Sequence, residues 1–179
     1  MNIFVGGSSR DTTNIEFSKS AREIGKFIID GKHNLVFGGC NSGLMGVTYR
    51  TVCNSNDSKI IITMARAYED NLKSIKYDEV YLSDTVNERK NDVFKHSDAL
   101  VFLPGGIGTI DEIMSSIEAN RNHQIDVPII IINVEGFFDG LFLQSTRAFR
   151  EHFSLDMRAY AFVVNESIKG ISYLRGLGF

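Results

Sequence analysis

Short runs of branched and aromatic apolar residues alternate with helix-patterned stretches from one end of this chain to the other, and that alternation narrows the fold more than any other feature. Ile3-Phe4-Val5 is followed by the turn Gly6-Gly7-Ser8-Ser9, then by a stretch in which Phe17, Ala21, Ile24 and Ile28 share one helical face. Gly31 is placed to end that helix as a C-terminal cap. Asn34 to Phe37 reads as the next strand and runs directly into Gly38-Gly39, with a second helix from near Ser42. Further strands are expected over 59–63, 79–82, 99–103 and 128–133. Further helices are expected over 86–96, from Thr109 onward, over 141–153 and over 167–174. Residues 64–77 fit either a helix or a loop over a site. Strands written as unbroken Val/Ile/Leu/Phe runs and separated by helices imply a parallel sheet covered on both faces. The expectation is therefore an α/β chain folded as a single doubly wound domain over residues 1–179. In such sheets ligands sit outside the carboxyl ends of the strands, where the glycine turns fall.

Composition excludes several function classes. The chain has 179 residues, 43% hydrophobic and 23% charged, which suits one well-buried domain. Nineteen basic against 22 acidic side chains give a net charge of −3, so nothing draws the molecule to nucleic acid or to an anionic membrane. Any phosphate it binds must be held by a local site. Cys40 and Cys53 are too sparse for a disulfide framework or a zinc cluster and read as free thiols in a reducing compartment. His33, His96, His123 and His152 lack metal-ligand spacing, and no metal is expected. The N-terminus has neither the basic flank nor the apolar stretch of a secretory signal, and a cytoplasmic protein is expected.

Three glycine-bearing turns follow three of the strands: GGSS from Gly6, GGCNSGLMG from Gly38, and PGGIGTIDE from Pro104 to Glu112. A strand–glycine loop–helix unit offers unpaired backbone N–H groups at a positive helix end, a combination that binds phosphate. None of the three matches the dinucleotide fingerprint or ends in the Lys-Ser/Thr of a P-loop. Thr109 and Glu112 have capping-box spacing, in which the threonine caps a helix and the glutamate returns the bond. Glu112 could instead face a ribose, stabilising positive charge or orienting water. Thr85 and Glu88 share that spacing and read as a structural cap. Arg89 and Lys90, taken alone, read as a solvated helix face. Phe137 and Phe138 read as packing, in the core or against a second copy.

Together, the GGSS turn, FGG with GLMG, ERK at 88–90, SDALVFLPGGIGTIDEI at 97–113 and NVEGFFDGL at 133–141 resemble the Lonely Guy (LOG) phosphoribohydrolases, often labelled lysine decarboxylases. The resemblance implies a Rossmann-like fold and a homodimer with its active site near the subunit interface. It further implies cofactor-free hydrolysis of an adenine-type nucleoside 5′-monophosphate to free base and ribose 5-phosphate. Carried over residue by residue, Arg89 and Glu112 match the catalytic pair, and Gly105, Gly106, Gly108 and Thr109 match the phosphate loop. Ser8, Gly39, Met45 and Lys90 fall where the nucleotide pocket is expected. Whether Arg89 holds phosphate or polarises the substrate stays open at this point. The chain departs from the family pattern at Cys40, at Asn87, in IIITMARAY and in SIEANRNHQID, where base-side and dimer contacts are expected, and not at the Arg/Glu pair itself.

Overall fold

The computed structural model describes residues 1–179. Seven parallel strands form one sheet: β1 (Asn2–Gly6), β2 (Asn34–Phe37), β3 (Ile60–Ala65), β4 (Glu79–Ser83), β5 (Ala99–Phe102), β6 (Ile129–Ile132) and β7 (Phe162–Val164). Their order across the sheet is β4-β3-β2-β1-β5-β6-β7. The winding reverses between β1 and β5, where Gly6 pairs with Phe102 at the carboxyl ends. That switch point is the crevice in which doubly wound sheets bind ligands.

The helices are α1 (Ile15–Asp30), α2 (Gly43–Val52), α3 (Val86–Lys95), α4 (Ile107–Arg121), α5 (Asp139–Arg150) and α6 (Ser167–Gly176). Alternation along each strand divides the interior into two cores. Ile3, Val5, Leu35, Phe37, Ile62 and Val101 pack with Ile24 and Ile28 of α1, Leu44 of α2 and Leu174 of α6. Phe4, Val36, Ile61, Leu100, Phe102 and Ile131 face the other way, onto Val93 of α3 and Ile113 and Ile117 of α4. Burying each such side chain is worth roughly 1.5–3 kcal/mol, so the strands are fixed from both faces.

Several sequence expectations are corrected. β7 was not anticipated, because three residues with an exposed Phe162 carry little periodicity. Residues 66–74 form a 3-10 segment with no buried residue, which explains why their pattern reads ambiguously. Gly31 does occupy the C-cap of α1, but in the right-handed region at φ −87°. The left-handed residue is Lys32, at φ 52°. Glycine is needed at 31 because a Cβ there would collide with the His33 ring. Phe138 is buried in the core, whereas Phe137 is half-exposed and packs edge-on against Phe17. No helix is long and apolar enough to cross a membrane.

Candidate active site

The three glycine turns converge at the switch point because their backbones interlock. The Ser8 N–H donates to the Pro104 carbonyl at 3.0 Å, joining the turn after β1 to the turn after β5. The Ser8 carbonyl accepts from the Met45 N–H at 3.3 Å, joining the first turn to α2. The hydroxyl of Ser8 is occupied within its own turn, donating to the Arg10 carbonyl and accepting from the Arg10 N–H. Gly43 sits at φ +64°, and any Cβ there would run into the backbone of Ser8 and Ser9, so only glycine allows this approach. At Gly105 a Cβ would meet the Thr109 side chain and, at 2.9 Å, the Ser8 nitrogen.

The start of α4 differs from the capping-box expectation. Gly106, in extended conformation, is the N-cap and offers no side chain to the first-turn N–H groups. Thr109 is therefore the third helical residue, buried against Gly105, and caps nothing. Space around Gly106 and Gly108 is open, with nothing beyond the adjoining backbone within 4 Å of where a Cβ would lie. A 15-residue helix thus presents an uncapped N-terminus to open space. The partial positive charge of such an end, about half an elementary charge, suits a phosphate.

Freed from the cap, Glu112 reaches α3. Its Oε1 accepts from Arg89 Nη1 at 2.5 Å, and the two side chains are only 15% and 13% exposed. Arg89 Nε donates to the Thr63 carbonyl at 2.8 Å, pinning the guanidinium over the carboxyl end of β3. A Cβ on Gly38 would lie 3.0 Å from Arg89 Nη2, and one on Gly6 would lie 3.0 Å from Glu112 Oε2. The glycines that end β1 and follow β2 are therefore the floor on which the pair rests. Met45 is nearby, with its sulfur 3.8 Å from the same position over Gly38. The second Thr–Glu pair behaves as expected: Thr85 Oγ1 accepts from the Glu88 N–H at 3.1 Å and Glu88 Oε2 accepts from the Thr85 N–H at 3.1 Å.

Of the residues singled out in the sequence, Arg89, Glu112, Met45, Ser8, Gly105, Gly106, Gly108 and Thr109 come together at the switch point. Gly39 and Lys90 stand beside this group with partners of their own, Lys90 lining a small hollow with Glu112. Gly39, at φ +69°, faces Met64 and Ile62 in the core. Lys90 Nζ spans α3 and α4, 3.0–3.1 Å from both Asp111 carboxylate oxygens and 3.1 Å from Ser115 Oγ. The sequence reading missed Thr63, whose contribution is a backbone carbonyl and so leaves no residue signature. It also missed Asp111, although 89–90 facing 111–112 as two adjacent ion pairs is a signal that could have been read.

Fold and site define a doubly wound α/β protein whose ligand edge joins a bare helix N-terminus to a half-buried Arg–Glu pair. The chain belongs to the LOG family, whose profile, described as "Possible lysine decarboxylase", matches residues 45–172. It is 30% identical over 139 residues to the probable cytokinin riboside 5′-monophosphate phosphoribohydrolase LOG4 of Oryza sativa subsp. japonica, covering 78% of this chain and 60% of that one. It is also 30% identical over 153 residues to the probable cytokinin riboside 5′-monophosphate phosphoribohydrolase LOG6 of Arabidopsis thaliana, covering 86% and 75%. The chain thus spans less than two thirds of the rice relative's length. Among solved structures, the Moco carrier protein from Chlamydomonas reinhardtii superposes with a TM-score of 0.70 at 18% identity, covering 98% of this chain and 96% of that one. The molybdenum cofactor binding protein from Rippkaea orientalis gives 0.66 at 17% identity, covering 99% and 97%. At these identities the likeness concerns the fold alone, which is the Rossmann-like sheet.

Proposed function

We propose that this chain is a hydrolase that binds an adenine-type nucleoside 5′-monophosphate at the switch point and cuts its N-glycosidic bond, releasing free base and ribose 5-phosphate. The observation that carries the reading is the Arg89–Glu112 pair held beside the uncapped N-terminus of α4. The phosphate occupies the first-turn N–H groups around Gly106, Gly108 and Thr109, a remote handle that fixes the sugar. Breaking the bond from C1′ to the base nitrogen sends the electron pair to the base and builds oxocarbenium character on the ribose. Arg89 holds Glu112 through Oε1, leaving Oε2 to stabilise that charge or to align water for attack on C1′. Water delivers its hydroxyl to C1′, and its remaining proton balances the departing base. Arg89 is fixed through Nε and Nη1, so Nη2, beside Gly38, is the donor left for the substrate.

The same reading takes residues 1–179 as one catalytic domain that works in the cytoplasm, without a cofactor, as a homodimer. The exposed side chains of Ile107 and Met114 on α4 and Val86 on α3 lie on the helices that carry the pair and support an interface close to the site.

Release of base and ribose 5-phosphate from AMP and from N6-isopentenyl-AMP tests the proposal, with dAMP measured alongside, with and without an acceptor base. Cleavage of either ribonucleotide without acceptor is the expected result, and the rate ratio identifies the preferred base. Activity confined to dAMP plus acceptor would make the chain a deoxyribosyl transferase. AMP binding with no cleavage of any substrate would make it a carrier.

A further inference from the structure

A cleft of about 410 Å³ lies at the end of the sheet opposite the Arg89–Glu112 pair. It opens at the amino ends of β6 and β7, beside Pro128 and Phe162, and is walled by the C-terminal part of α4 and by α6. Its volume falls within the range of small-molecule sites.

We propose that this cleft is a second binding site, for a planar nitrogen heterocycle that is neutral or cationic and donates N–H groups. Three observations define that chemistry. First, the Phe162 and Tyr173 rings lie stacked, with centroids 4.1 Å apart and planes 15° apart. Both rings remain more than a third exposed, at 39% and 36%, whereas Phe4, Phe37, Phe102 and Phe138 are fully buried. A stacked pair with an open outer surface is a platform for a third flat ring.

Second, the cleft offers an anion no cation free of an acidic partner. Arg158 is committed to Asp156 through two bonds of 2.8 and 3.0 Å. Arg121 is committed to Glu118 through bonds of 2.6 and 3.0 Å. The lining holds one acid and one base: Arg158 is paired with Asp156 outside the cleft and Asp126 has no cationic partner, so the free charge on the lining is negative. A phosphate-bearing nucleotide would find no unpaired cation here, and the one unpaired charge is negative, which separates this site from the one at the switch point.

Third, the lining carries acceptors without a donor partner. The Asp126 carboxylate can only accept, and the Asn120 amide already gives its N–H to the Val127 carbonyl at 3.4 Å, leaving its oxygen free. Tyr160 also lines the cleft.

Adenine is the probe, being flat, neutral and an N–H donor, titrated calorimetrically into the Glu112→Gln variant saturated with AMP so that the switch-point site is occupied. Binding should persist under AMP, weaken at least tenfold in Tyr173→Ala and several-fold in Asp126→Asn, and be retained in Tyr173→Phe. Tyr173 is exposed, so its truncation leaves the fold intact, which thermal melts of the variant verify. Loss of adenine binding under AMP, equal binding in Tyr173→Ala, or no binding at all would overturn the proposal. The readout is binding alone, so it stands or falls independently of whether the chain cleaves a nucleotide.

Discussion

Thr85–Glu88 and Thr109–Glu112 carry the same residue types at the same spacing near the starts of neighbouring helices, and they do different work. In the first, Thr85 is extended at φ −127°, ψ 160°, and its side chain and that of Glu88 close a reciprocal pair of bonds at the N-terminus of α3. In the second, the glycine turn after β5 runs straight into the helix, so α4 starts at Ile107, two residues before Thr109. Glu112 then lies beyond the first turn and projects across to Arg89. The difference teaches that a capping signal is overridden when a glycine can start the helix earlier. What the glycine gives up in capping it leaves as bare N–H groups, which is what an anion needs. Each capping bond is worth about 1 kcal/mol, a modest loss of stability for a binding end.

The sharpest way to break this comparison is at the arginine. Arg89→Ala should lower turnover of AMP by about 10³-fold. It should also destabilise the fold by about 2 kcal/mol, because Glu112 would be left half-buried and unpaired. Chemical denaturation beside steady-state kinetics reads both. Retained activity would place the chemistry elsewhere.

Next in size is Gly38→Ala. A Cβ there would stand 3.0 Å from Arg89 Nη2, so the guanidinium must shift by tenths of an ångström while the core stays intact. Turnover should fall about 10- to 100-fold, since small misplacements of catalytic groups are costly. An unchanged rate in this variant would show that the floor beneath the pair does not set its geometry.

The structural motif should respond in the opposite manner. Thr85→Ala should cost about 1 kcal/mol and lower Tm by about 2–4 °C, with turnover within a factor of two of wild type. A rate loss exceeding the stability loss would bring α3's cap into the catalytic machinery.

The smallest expected effect concerns pH. Burial, reinforced by the N-terminal charge, holds the His33 imidazole below its usual value of 6.5. The folded state therefore binds this proton less readily than the unfolded one. Stability from this group is complete above pH 6.5 and declines as pH falls below it, levelling once the folded imidazole is also protonated. Thermal melts between pH 8 and pH 5 should show this decline, and His33→Phe should flatten it. Phe27 and Phe179 pack beside His33, with ring centroids 5.2 and 6.3 Å away, so a phenyl ring is a suitable replacement.

What could be read from the sequence follows from what each part depends on. The strands that cross both cores were legible because burial on two faces forces unbroken apolar runs, as in Ile129–Ile132. β7 was not, since an edge strand of three residues with Phe162 exposed needs no such run. The glycine turns were legible as turns, and their convergence followed from parallel winding. The start of α4 was misplaced because Thr109 and Glu112 satisfy a local rule that Gly106 pre-empts. Arg89 and Glu112 are 23 residues apart and joined only through tertiary packing, so their pairing was visible through family resemblance and not through spacing. The anchor at the Thr63 carbonyl was invisible, because every residue has one.

The central claim is that Glu112 has been released from capping to do chemistry while Glu88 has not. The most direct test is AMP turnover and thermal melting of Glu112→Gln and Glu88→Gln side by side with wild type. The account predicts that Glu112→Gln loses at least about 10²-fold in turnover with Tm nearly unchanged, and that Glu88→Gln keeps wild-type turnover with a slightly lower Tm. A Glu112→Gln variant that loses activity only in proportion to lost stability, as Glu88→Gln would, contradicts it.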